Sequence, residues 1–170
     1  MGTNNVDVSS NVRPELLPPL GEMLGYQAGT NPIWDLEGAK CFLVVSSNVT
    51  EEQNVLAVPV KKAARDGAEI VVIDPRETEL TRYAKHWLRP RPGTEVTLVG
   101  GFLRVVLDEA LEDKEFVGSR CEGLQPLKHE LWDFDLVRIA AITGVPEDEI
   151  REAARAYGLN RPAAILYGVD

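Results

Sequence analysis

Apolar residues follow two rhythms along this chain. Three short runs, "CFLVV" (41–45), "IVVI" (70–73) and "AAILYG" (163–168), are unbroken, as expected of strands buried on both faces. "HWLRPR" (86–91) reads as a weaker fourth strand. Between the first two runs, "VPVKKAARDG" (58–67) places Pro59 where only a first helical turn suits it, turns Val60 with Ala63 or Ala64 inward, and stops at Gly67. Strand, helix and strand in that order form a parallel unit.

The second rhythm is helical. A long helix is predicted from an N-cap at Thr94 to about Leu111, with Val96, Val99, Leu103, Val106 and Ala110 on one stripe facing the sheet. Three shorter pieces follow, around "DKEFVGSR", through "LQPLKHELWDF", and over "DLVRIAAITG" to a stop at Gly144. The last helix is the clearest: Pro146 suits its first turn, Glu147, Asp148 and Glu149 complement its dipole, and Ile150, Ala153, Ala154 and Tyr157 form its apolar face. It hands the chain to the final strand. The fold class is therefore α/β with a mostly parallel sheet, residues 37–170 forming one domain. Residues 1–36 read as an irregular covering arm, because Pro14, Pro18 and Pro19 break any helix between Val12 and Leu20, and Gly21, Gly25 and Gly29 punctuate the rest. Both ends read as cut.

Charge removes several partner classes. A net charge of −9 over 170 residues, with a pI of about 4.8, argues against unspecific binding to nucleic acid or anionic membrane. No apolar run approaches a membrane span, and "MGTNNVDVSSNVRPE" lacks the basic start and apolar centre of a signal peptide. A cytoplasmic protein without direct membrane insertion is expected. Cys41 and Cys121 are the two thiols, read as buried or half-buried; no CxxC and no paired spacing around His86 and His129 favours a metal site.

The second strand ends in "IDPRETE". In open parallel sheets, ligands bind outside the carboxyl ends of the strands, and Asp74 stands at such an end. Its carboxylate can accept from a ribose diol or a guanine edge, while Arg76 can grip phosphate through two donors. Asp74 can equally be the cap of a helix starting near Glu77, with Arg76 solvated. No GxGxxG follows "CFLVV", which argues against ordinary NAD binding. The loop there, "SSNVTEEQN", offers Asn48, Thr50 and Glu51 as hydrogen-bonding groups, or is a solvated turn.

The segments "TNNVD" (3–7), "AGTNPI" (28–33), "VVSSNVTEE" (44–52), "GAEIVVIDPRETEL" (67–80), "WLRPRPGTEVTLVGG" (87–101), "EDKEFVGSR" (112–120) and "ITGVPEDEIREAAR" (142–155) resemble, in order and spacing, the central part of the molybdopterin oxidoreductases. The likeness is greatest to the alpha subunit of formate dehydrogenase, with the large iron-sulfur subunit of respiratory NADH:quinone oxidoreductase a near relative. It covers nearly the whole chain. The resemblance implies a three-layer αβα, dinucleotide-binding-like (Rossmann-like) domain that holds one molybdopterin guanine dinucleotide of a molybdenum or tungsten centre. It further implies that Asn48 and Glu51 contact the guanosine part, that Asp74 and Arg76 form the family's DPR turn, and that Gly93 and Glu95 form its PGTD loop, with Glu in place of the usual Asp. The implied partners are the remaining domains of a larger parent chain and iron-sulfur electron-transfer subunits.

Three departures qualify that likeness. Counting on from Asp7, the family's Cys or selenocysteine metal ligand and following His fall on Arg13 and Pro14, and a guanidinium cannot be deprotonated to bind molybdenum. The cysteine-rich amino-terminal segment and the later domains have no counterpart in these 170 residues. Gln53 and Asn54 replace the usual His and Pro. Two functions follow as expectations. In one, the chain is a cofactor-binding domain, inactive by itself, whose parent moves two electrons between formate or a similar small substrate and an iron-sulfur chain. In the other it is a non-catalytic scaffold without molybdenum, like the large iron-sulfur subunit of the NADH enzyme. Trp34, Trp87 and Trp132 are read either as core filling or as packing against sister domains.

Overall fold

The computed structural model describes residues 17–25, 29–133 and 135–168; Arg13, Pro14 and most of the arm lie outside them. Four strands, β1 (Cys41–Val45), β2 (Glu69–Ile73), β3 (His86–Leu88) and β4 (Ala163–Tyr167), form an all-parallel sheet in the order β3-β2-β1-β4. Register aligns their carboxyl ends, with Val45 opposite both Ile73 and Tyr167, and Ile73 opposite Leu88. The chain winds outward from β1 through β2 to β3, then crosses to the far side of β1. That reversal is a topological switch point between β1 and β4.

Alternation along each strand divides the core in two. Phe42 and Val44 of β1, with Ile70 and Val72 of β2, pack against Ala57, Val60 and Ala63 of helix α3 (Asn54–Arg65) and against Leu36 and Leu80. Cys41, Leu43, Val71, Ile73 and Leu88 face Leu98, Phe102 and Val105 of α4 (Glu95–Asp108), Ile139 of α7 (Leu136–Thr143) and Ile150, Ala153 and Ala154 of α8 (Glu147–Leu159). Helices thus cover both faces, giving the three-layer αβα arrangement expected. Among the described residues, no helix is long and apolar enough to cross a membrane.

The remaining helices are α1 (Leu17–Leu24), the single turn α2 (Val49–Glu52), α5 (Lys114–Arg120) and α6 (Leu124–Glu130). Asp113 caps α5 by accepting from Phe116 N at 2.9 Å. Gly144 ends α7 in the left-handed conformation, φ +79°, as its position in the sequence led us to expect.

Several local expectations are overturned. Helix α1 begins at Leu17 although Pro18 and Pro19 follow, because first-turn residues need no backbone donor. Helix α3 starts at Asn54, so Pro59 is a buried interior residue of it and not part of a first turn. The lost bond would have gone to the carbonyl of Val55, an exposed residue. Thr94 gives α4 no side-chain cap; its hydroxyl donates instead to Arg91 O at 2.7 Å. The buried stripe of α4 is Leu98, Gly101, Phe102 and Val105; Val99 and Val106 of the expected stripe pack partly buried beside it, while Val96 is 84% exposed. The stripe turns because Gly101 lets α7 approach: a Cβ there would stand 2.7 Å from Ile139 Cδ1. Trp34 and Trp132 are exposed at 75% and 73%, so neither fills the core, and Cys121 is exposed. Burial pushes the Cys41 thiol up to about 12.

Candidate functional site at the carboxyl edge of the sheet

Each parallel strand delivers its exit loop to the same edge. Asn48 and Glu51 follow β1, Asp74 and Arg76 follow β2, and Gly93 and Glu95 follow β3. The six residues singled out in the sequence therefore share one edge of the sheet, in the segments that follow three adjacent strands. The two thiols do not join them: Cys41 opens β1 at the opposite edge, and Cys121 lies beyond α5.

Asp74 is the most constrained member. It is 1% exposed, and its Oδ1 accepts from the Arg76 amide at 2.7 Å, closing a tight turn. Its other oxygen, Oδ2, is buried with no partner among the described residues. A buried carboxylate oxygen left unpaired is costly, so the site carries a vacant acceptor. The Arg76 guanidinium is largely exposed, with Nε 3.8 Å from Asp74 Oδ1. No helix begins at Glu77; the next element is a 3-10 turn at Glu79–Tyr83 preceded by Thr78. Asp74 is thus not the helix cap that the sequence allowed.

The loop after β1 is not a solvated turn either. Ser47, Asn48 and Thr50 are buried, and Thr50 Oγ1 donates to Asn48 Oδ1 at 2.9 Å. Glu51 is exposed on α2. After β3, Gly93 takes φ +86°, a left-handed turn that leads directly into α4 with Glu95 in its first turn. Arg91 fixes that loop: its Nη1 donates to the carbonyls of Ala141 and Ile142 at 2.6 and 2.8 Å, near the end of α7.

Four further residues of this edge were not among those singled out in the sequence. Ser46 adopts φ +45°, and Gly168 packs so tightly on it that a Cβ would collide with the Ser46 carbonyl oxygen. Trp87 Nε1 donates to Asp74 O at 2.9 Å, and Arg89 Nε donates to Pro75 O at 3.0 Å. Gly168, directly after a strand, was the one legible sign of a close backbone approach; the others depend on register, which residue type does not reveal. Among the described residues, no group of three or more His, Cys, Asp or Glu could hold a metal ion.

The chain is similar to known proteins along nearly its whole length. The alpha subunit of F420-dependent formate dehydrogenase 2 from Methanococcus maripaludis is 35% identical over 97% of the chain, which covers 25% of that subunit. Formate dehydrogenase H of Escherichia coli is 34% identical over 99% of the chain, covering 24% of it. The chain thus spans about a quarter of the length of these relatives. Among solved structures, acetylene hydratase from Pelobacter acetylenicus superposes with a TM-score of 0.72 at 35% identity, covering 77% of this chain and 18% of that one. The sequence model of the molybdopterin oxidoreductases matches residues 3–169, and the chain belongs to that family.

Proposed function

We propose that this chain is the molybdopterin guanine dinucleotide-binding domain of a formate dehydrogenase-like oxidoreductase. The observation that carries the reading is the vacant Oδ2 of Asp74, buried at the carboxyl edge of a parallel sheet where nucleotide-like ligands bind. The residues present fit such a group. Asp74 Oδ2 accepts a donor from a guanine edge or a ribose hydroxyl, and the exposed Arg76 guanidinium offers two parallel donors to a phosphate. Asn48 and Glu51, in the segment after β1, and Gly93 and Glu95, in the segment after β3, would flank the same group.

When bound, the pterin and its molybdenum or tungsten supply the two-electron chemistry. The contribution of this chain is binding and orientation. The Asp74 turn and the buried Asn48 would hold and orient the dinucleotide at a rigid sheet edge, and the partners in this reading are sister domains of the parent and iron-sulfur electron-transfer subunits. The substrate class is formate or a similarly small oxidisable molecule.

Arg13 favours a second reading, a scaffold without molybdenum like the large iron-sulfur subunit of NADH:quinone oxidoreductase, because it stands where the family has its thiolate or selenolate ligand. One measurement separates the two: metal and pterin analysis of the full-length protein purified anaerobically, with GMP released by acid hydrolysis. Stoichiometric molybdenum or tungsten together with GMP is the expected result. Iron-sulfur clusters without either would overturn the cofactor reading and leave the scaffold.

A further inference from the structure

We infer that Trp87 and Arg89 are positioning residues that aim the Asp74 carboxylate, a role that rests on the cofactor-site reading for what the carboxylate serves. Trp87 sits in β3 opposite Val72 of β2, and Arg89 follows one residue after that strand. From there they take the two successive carbonyls of the neighbouring turn, Trp87 Nε1 holding Asp74 O at 2.9 Å and Arg89 Nε holding Pro75 O at 3.0 Å. The two side chains also support each other, with Arg89 Cζ 5.3 Å from the centre of the Trp87 ring, within cation–π range.

The consequence follows from peptide geometry. The carbonyl of Pro75 and the amide of Arg76 belong to one planar trans peptide group, so they point in opposite directions. Fixing Pro75 O toward β3 therefore aims the Arg76 N–H away from β3. That N–H is the donor to Asp74 Oδ1 at 2.7 Å. The proline ring removes further freedom by fixing φ at the turn's centre. A relay of hydrogen bonds thus runs from Arg89 through one rigid peptide plane to the carboxylate, and it leaves the buried Oδ2 as the unpaired acceptor. Neither residue touches the ligand in this role.

The test compares wild type, Trp87→Phe, Arg89→Lys and Asp74→Asn in the full chain, by two readouts: hydrogen exchange at the Arg76 amide, and affinity for GDP as the guanosine diphosphate probe. Trp87→Phe keeps a ring under Arg89 but loses the indole donor; Arg89→Lys keeps the charge but loses Nε. Each is expected to speed Arg76 exchange about tenfold and to weaken GDP by a similar factor, the scale of one lost hydrogen bond. Exchange at the buried Val72 amide should hold, and the thermal midpoint should fall by no more than about 5 °C, the scale of a loss of about 1 kcal/mol. Unchanged Arg76 exchange in both variants overturns the relay, and faster exchange with GDP affinity intact overturns its service to the site. Wild type that fails to bind GDP, or binding indifferent to Asp74→Asn, overturns the cofactor-site reading itself, while the exchange data still decide the relay.

Discussion

Gly168 and Ser46 meet backbone to backbone at the carboxyl end of the sheet. Gly168 N donates to Val45 O at 2.9 Å, Ser46 N donates to Ile73 O at 2.9 Å, and the space a Gly168 side chain would need is filled by the Ser46 carbonyl. Gly168→Ala must therefore shift one of two strands that are locked in register. A loss of about 1–3 kcal/mol is expected, read from the urea midpoint at constant m-value. The loop after β1 should lose protection from hydrogen exchange in step.

Stability and ligand binding should part company at Asp74. Asp74→Ala strips the Arg76 amide of its acceptor and should cost about 1 kcal/mol. Asp74→Asn keeps an acceptor for that amide and removes a buried, half-paired negative charge, so its chemical-denaturation stability should equal or exceed that of wild type. Both variants should lose the GMP released from the full-length protein. A stable Asp74→Asn with full GMP content would remove the carboxylate from the binding role.

Thiol chemistry separates the two cysteines. At pH 8, a thiol reagent should label exposed Cys121 at once and buried Cys41 only after unfolding. Burial first, then the Glu69 carboxylate, raises the Cys41 thiol from its ordinary 9.0 to about 12. Because the folded value lies above the unfolded one, the contribution is complete below pH 9 and is lost as pH climbs from 9 toward 12, at about 1.4 kcal/mol per pH unit. Denaturation of wild type and Cys41→Ala across that window should show the difference in slope.

Helix α4 offers a comparison of two faces. Phe102 is 4% exposed and meets Tyr157 edge-on, with ring centroids 5.8 Å apart. Phe102→Ala should cost about 3–5 kcal/mol. Val96→Ala, on the face that the apolar spacing pointed to, should stay within about 0.5 kcal/mol. Thermal or urea melts of both variants settle which stripe is buried.

That contrast shows where the sequence was readable. Strands and layers were legible because "CFLVV" and "IVVI" are apolar without interruption, which leaves few alternatives to burial on both faces. The α4 stripe was legible only in part, because Val99 and Val106 do pack on the core but compete with a second stripe one step round the helix. The choice falls to Gly101, whose missing side chain carries no hydrophobic signal but admits Ile139. The same holds at the site. "IDPR" marked Asp74 and Arg76, since a charged turn after a buried strand is conspicuous. The hold that Trp87 and Arg89 have on that turn depends on β2 and β3 being neighbours in register, a relation spread over 13 and 14 residues of sequence with no periodicity of its own.

The sheet's two margins differ. Strand β3 is three residues long and flanked by Lys85 and Arg89, so its outer side is short and charged. Strand β4 is longer, carries no charge or proline, and leaves Ile165 and Tyr167 half-exposed, with β1 its one strand neighbour among the described residues. Bare margins of this kind template the addition of further strands. Concentrated on its own, the chain should self-associate through β4 while still folded, and Ile165→Lys should raise the concentration at which light scattering detects association without moving the melting point.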